Sequence, residues 1–214
     1  ISTKGVSSGG VEPAVSFTVA DTLEHRLLQI GVLSYAKAPM ILIAETITDP
    51  YPGFSGDVAD GVSIVVEEEV LITTNKGVGG GLYVLDLDGN ILSSNLNGAA
   101  NSVDYRDLTG ILGWDNRLLV MTSDRDNNTL RLYWMNRTTK ALSLAGTINL
   151  AYEPYGSCLY LEGVNLYAFV TDRGSSDTGT HYLRQYLLSK SGETVTSGSV
   201  LRTINAEGVM EGMC

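Results

Sequence analysis

The chain has 214 residues, 43% hydrophobic and 18% charged, enough for one globular domain with a substantial core. Its net charge of −10 argues against a nucleic-acid partner, since that affinity comes from Lys and Arg on phosphates, and it repels any anionic ligand unless a bound cation inverts the local field. Cys158 and Cys214 make no disulfide framework, and no apolar run approaches the roughly 20 residues of a membrane-spanning helix.

From the amino terminus, STKGVSSGG reads as a flexible lead-in or the remnant of a leader or linker, and no signal-peptide pattern is legible from Ile1. ADTLEHRLLQI (20–30) fits a helix and an alternating strand about equally well. Beyond it, short runs rich in Val, Ile, Leu, Tyr and Thr predict strands: VSFTV (15–19), MILIAETI (40–47), VSIVV (62–66), VLITTN (70–75), GLYVLDL (81–87), RLLVMTS (117–123), LRLYWMN (130–136), YGSCLYLE (155–162), LYAFVTD (166–172) and LRQYLLS (183–189). Turn signals DLDGN, WDN, DRDNN and SKSGE separate them, and 24 glycines against five prolines fit many tight turns. The chain is predicted to be all-β.

One phrase recurs three times: TTNK-GVGG-GLYVLDLDGN, MTSDRDNN-TLRLYWMNRTTK and VTDRGSSDTGTHYLRQYLLSKSGE. In each, a strand ends on a basic residue: Lys76, Arg125 or Arg173. Units opening near Asp60, Asp104, Tyr155 and Glu211 recur at roughly the 40–50 residues of a four-stranded propeller blade. Blade ends of this kind converge on a central channel, so three cations are expected to face one space.

Several familiar motifs fail on their spacing. A phosphate loop needs its Lys after the glycines, followed by Ser or Thr and a helix; here Lys76 precedes GVGGG and a strand follows, so the glycines read as a hairpin loop. Asp86 and Asp88 in DLDG read as turn residues. DRDNN lacks the glycine and distal glutamate of an EF-hand loop, so Asp126, Asn127 and Asn128 read as loop. His25 and His181 have no nucleophile pattern beside them, and two distant cysteines argue against zinc. Polar residues at the unit starts, namely Asp57, Asp60, Asn101, Asp104, Glu153, Tyr155 and Glu211, carry the oxygens a hard cation takes; the same residues can equally cap strands and solvate a channel mouth.

The ordered phrases LITTNK, GLYVLDLDG, NSVDYR, EPYGSCLY, YAFVTD, QYLL and EGM, from about Gly56 to Cys214, resemble the β-propeller phytases. That resemblance implies a six-bladed, calcium-dependent enzyme that removes phosphate from phytate (inositol hexakisphosphate) through a metal-activated water, with about three to four blades covered here. It implies that Lys76, Arg125, Arg173 and Tyr155 contact phosphate, and that Asp60, Asn101, Asp104, Tyr155 and Glu211 lie at or beside calcium. It further implies a secreted or periplasmic protein binding inositol phosphates, with neither nucleic acid nor membrane as partner.

The sequence departs from that family at identifiable positions. An Asp-Asp-Pro is Asp60-Gly61-Val62 here, an Asn-Asn is Asn101-Ser102, Arg173 stands where lysine is common, and Gly174 follows it where an acidic residue is common. The expected organisation is a lead-in with extra strands over 1–55 and phytase-like blades over 56–214. Open blade edges invite pairing with another chain, so self-association or a second propeller domain is expected to close them. The alternative to an enzyme is a non-catalytic, incomplete propeller domain that accompanies a full phytase domain and binds phosphorylated ligand or supports assembly.

Overall fold

The computed structural model describes residues 26–30, 42–47, 59–77, 79–174, 180–208 and 210. The predicted strands at 15–19 and the candidates Asp57 and Glu211 lie outside them. β1 (Arg26–Ile30) and β2 (Leu42–Ile47) pair antiparallel, so the described part of 20–30 is strand rather than helix. The rest forms three four-stranded antiparallel sheets. The first holds β3 (Val62–Val65), β4 (Val70–Asn75), β5 (Gly81–Asp86) and β6 (Ile91–Asn95); the second holds β7 (Ala100–Asp107), β8 (Leu118–Asp124), β9 (Thr129–Met135) and β10 (Leu142–Asn149). The third holds β11 (Pro154–Glu162), β12 (Asn165–Asp172), β13 (Thr180–Ser191) and β14 (Thr194–Glu207). Strands neighbour one another in chain order in every sheet, which makes each a meander and the set a run of propeller blades.

Side-chain alternation stacks the sheets. Along β8, Leu118 and Val120 enter a cluster with Val65, Ile72, Leu82 and Val84 of the first sheet. Leu119 and Met121 enter another with Leu159, Leu166 and Val170 of the third. Because successive side chains point to opposite faces, a sheet covered on both sides reads as a continuous apolar run, and every residue of β8 is buried. Each such Leu contributes about 1.5–3 kcal/mol by leaving water. The far face of the third sheet shows a different picture: Tyr160, Leu201 and Ile204 are exposed there, and Tyr160 stacks on Tyr167 with centroids 6.5 Å apart.

A repeated hydroxyl joins each first strand to the next sheet. Thr74, Ser123 and Thr171 are the penultimate residues of β4, β8 and β12. Their oxygens accept the backbone N–H of Gly61 at 2.8 Å, Ser102 at 3.2 Å and Gly156 at 2.8 Å, all within their own sheets. The same hydroxyls reach the carbonyls of Asn101 at 3.5 Å, Tyr155 at 2.9 Å and Met210 at 2.8 Å. Asp60, Asn101 and Tyr155 therefore hold one equivalent position, each preceding the hydroxyl-bound N–H, and Met210 continues the series. Asp104, which the spacing of the units had placed in that series, lies three residues further along β7.

Candidate functional site

The three repeated cations follow directly on the ends of β4, β8 and β12, whose last residues are buried and organise the turns. Asn75 Oδ1 accepts from the Gly77 N–H at 2.9 Å. Asp124 accepts from the Asp126 N–H at 3.1 Å, the Asn127 amide at 2.9 Å and Arg131 Nε at 2.7 Å. Asp172 accepts from the Tyr182 N–H at 3.1 Å and Arg184 at 2.9 Å. Backbone bonds then fix two of the cations: the Arg125 N–H donates to Ala99 O at 3.1 Å, and the Arg173 N–H to Glu153 O at 2.9 Å.

Gly77, Gly79 and Gly80 fall between β4 and β5, in keeping with the hairpin reading of GVGGG. Gly80 N–H donates to Gly77 O at 2.8 Å, and a Cβ on Gly80 would lie 2.1 Å from the Asn75 carbonyl oxygen. The glycine is needed there for close backbone approach and not for a phosphate. Asp86 likewise closes its own turn, accepting from the Asp88 N–H at 3.0 Å and the Asn90 N–H at 2.8 Å.

Each cation meets the residue of its own sheet that precedes the hydroxyl-bound amide. Lys76 Nζ donates to Asp60 Oδ1 at 3.0 Å. Arg125 Nη1 donates to Asn101 Oδ1 at 3.4 Å. The Arg173 guanidinium lies 5.1 Å from the Tyr155 ring centroid. The second and third sheets are linked further: Arg125 lies 5.4 Å from the same ring, and the Asn101 amide donates to Tyr155 O at 3.3 Å. Asn101, Arg125, Tyr155 and Arg173 thus form one group, with the Lys76–Asp60 pair beside it, where a Gly61 Cβ would stand 3.2 Å from Asn101 O. Cations over an aromatic face keep their hydrogen-bonding edges, and a guanidinium fork matches phosphate oxygens in pairs.

Asp104 is not in that group. Its Oδ1 accepts from the Tyr105 N–H at 2.8 Å and Arg106 at 2.9 Å, and its Oδ2 accepts from the Leu159 N–H at 2.8 Å. Arg106 also donates to the Leu159 carbonyl. The pair clasps β7 to β11. Glu153, noted in the sequence only as an oxygen-bearing residue at a unit start, is the carboxylate that Arg125 engages, through Nε at 2.7 Å. Nothing local announces this pairing, because the partners lie 28 positions apart on different sheets. His181 is buried beside Asp172 and beneath Gly174, with no nucleophile role in view.

For calcium, Asp60 and Asn101 offer the right oxygen chemistry. Among the described residues, however, no group of three or more His, Cys, Asp or Glu side chains is placed to hold a metal ion. The described donors, Asp60 and Asn101, fit the ion in kind.

A family model described as Phytase matches residues 22–214, taking in the β1–β2 hairpin as well as the three sheets. No curated protein matches the chain.

Proposed function

The chain belongs to the phytase family, and from that premise we propose that it is a phosphomonoester hydrolase domain acting on phytate with calcium as its cofactor. The observation that carries this reading is the repeated pairing at the strand ends: Lys76 with Asp60, Arg125 with Asn101, and Arg173 with Tyr155. A chain of net charge −10 holds a polyanion only where cations are fixed in place.

In this reading Lys76, Arg125 and Arg173 grip phosphate groups of one ligand, and Tyr155 holds the two guanidiniums at its ring. Asp60, Asn101 and Glu211 are the proposed oxygen donors toward calcium, while Asp104 supports the inner strands from behind. A bound calcium supplies positive charge against the ligand phosphates. The chain's own residues bind and orient the ester, as phosphoryl transfer demands more of positioning than of covalent chemistry.

The test is phosphate release from phytate by the purified chain, with calcium and with chelator. The expected result is calcium-dependent release that Lys76→Ala abolishes or strongly reduces. No release by folded protein would sink the hydrolase reading. It would favour the accompanying, non-catalytic domain, for which the commitment of Asp104 to Arg106 and β11 is the supporting observation. The exposed far face of the third sheet is where self-association or a second propeller domain would pack in either case.

A further inference from the structure

We propose that Glu153 is the positioning residue that aims Arg125 at a ligand phosphate; this rests on the phosphate-binding reading above and assigns the site a carboxylate that reading does not use. One oxygen of Glu153, Oε1, accepts from Arg125 Nε at 2.7 Å and lies 2.6 Å from Nη2. It therefore straddles one edge of the guanidinium. Nη1 is turned toward Asn101 Oδ1 at 3.4 Å, and the Tyr155 ring lies 5.4 Å from the guanidinium carbon. A planar fork fixed along its Nε–Nη2 edge has its plane set, and the Nη1–Nη2 edge is then directed for two-point contact with a phosphate.

The backbone of the same residue holds the neighbouring cation. Glu153 O accepts the Arg173 N–H at 2.9 Å. Pro154 follows, locking its own φ at the point where β11 begins opposite Asp172. One residue thus sets the side chain of Arg125 and the backbone of Arg173.

Two physical considerations separate positioning from simpler roles. The Arg125 and Glu153 side chains are 31% and 39% exposed, and an exposed ion pair contributes only about 0–1 kcal/mol to stability. A purely structural role therefore predicts little effect of any kind. A purely electrostatic role predicts that removing the carboxylate strengthens anion binding, because it removes a negative charge beside the ligand. Positioning predicts the opposite sign.

The experiment compares the wild-type chain with Glu153→Gln, Glu153→Ala and Glu153→Asp. It measures phytate binding by calorimetry, KM and kcat for phosphate release, thermal unfolding, and the NMR signal of the Arg125 side-chain Nε–H. The expected result is roughly tenfold weaker phytate binding and higher KM in Glu153→Gln and Glu153→Ala, with kcat little changed and folding intact. Glu153→Asp recovers part of the loss, and the Nε–H signal, slow to exchange in the wild type, becomes fast in Glu153→Gln. Equal or tighter binding by Glu153→Gln, or an unaltered Nε–H signal, overturns the role of Glu153 alone. A wild-type chain that is folded and binds no phytate overturns the phosphate-binding reading, and this proposal with it.

Discussion

The Ser123 hydroxyl donates a 2.9 Å hydrogen bond to the Tyr155 carbonyl across the boundary between the second and third sheets, while it accepts the Ser102 N–H at 3.2 Å within its own. Thr171 does the same between Gly156 and Met210. These hydroxyls set the register of each inner strand against the next, and with it the place of Asn101 and Tyr155 beside the cations.

Ser123 is fully buried, so Ser123→Ala leaves the part-buried Ser102 amide and Tyr155 carbonyl without that partner. The expected loss is about 1–3 kcal/mol of unfolding free energy in urea. Thr171→Val is expected to lose a similar amount. Ser189→Ala, which removes an exposed hydroxyl paired with Thr196, should change stability by less than about 0.5 kcal/mol.

The Asp104 clasp makes a second prediction. Asp104→Asn puts an amide donor among the donors Arg106, Tyr105 N–H and Leu159 N–H. A loss of about 2 kcal/mol is expected. The loss should be equal in calcium and in chelator if the residue works between β7 and β11. Stability that differs between wild type and Asp104→Asn only when calcium is present would instead place Asp104 at the ion.

Acid should loosen the first and second sheets from each other. Glu68 accepts from Arg137 at 2.7 Å and Lys140 at 2.5 Å, and Arg137 also donates to Asp107 at 2.6 Å. Burial alone would raise the Glu68 pKa; hydrogen bonds from Lys140 and Arg137 outweigh it and hold the carboxyl below its ordinary value. Burial of Asp107 is likewise outweighed, by Thr109 and Arg137. A carboxylate depressed in the folded state contributes stability above its unfolded pKa and loses it as pH falls toward the folded one. Urea midpoints are therefore expected to drop between about pH 5 and pH 3, with the gap between wild type and Glu68→Gln shrinking over the same range. A gap independent of pH would show that the network contributes no charge-dependent stability.

Arg125→Ala and Arg173→Ala should each weaken phytate binding by roughly ten- to a hundredfold, the scale of a lost charge-assisted contact. Arg173→Lys keeps the charge but loses the fork and should fall between wild type and Arg173→Ala. Calorimetric titration with phytate checks the order. An Arg173→Ala chain binding as well as wild type would remove that residue from the site.

Gly80→Ala tests the hairpin reading of GVGGG. Its new methyl would stand 2.1 Å from the Asn75 carbonyl oxygen and 2.7 Å from the Gly77 carbonyl oxygen, both backbone atoms. A loss of at least about 2 kcal/mol is expected in urea denaturation, from strain in the turn. Unchanged stability would mean that the turn rearranges freely.

The strands most legible in the sequence were those buried on both faces. β4 and β8 are nearly unbroken runs in which every residue is buried, and such a run needs no partner's identity to be read. β6, β7, β10 and β14 were not among the predicted strands. ILSSN, LSLAGTIN and the long TVTSGSVLRTINAE carry exposed residues at irregular intervals, so neither alternation nor a continuous apolar run marks them. Lys76, Arg125 and Arg173 were legible for a local reason, since each follows a strand end within the same phrase.

What pairs with those cations was decided only by the tertiary structure. Local spacing placed Asp104 in register with Asp60, whereas the hydroxyls of Thr74 and Ser123 place Asn101 and Tyr155 there. Glu153 reaches Arg125, and Asp104 reaches Leu159, across a sheet boundary, over 28 and 55 positions of chain. A single strand's pattern records which of its faces is buried. It does not record the register at which the next sheet docks, because that register is set by contacts between segments far apart in the chain.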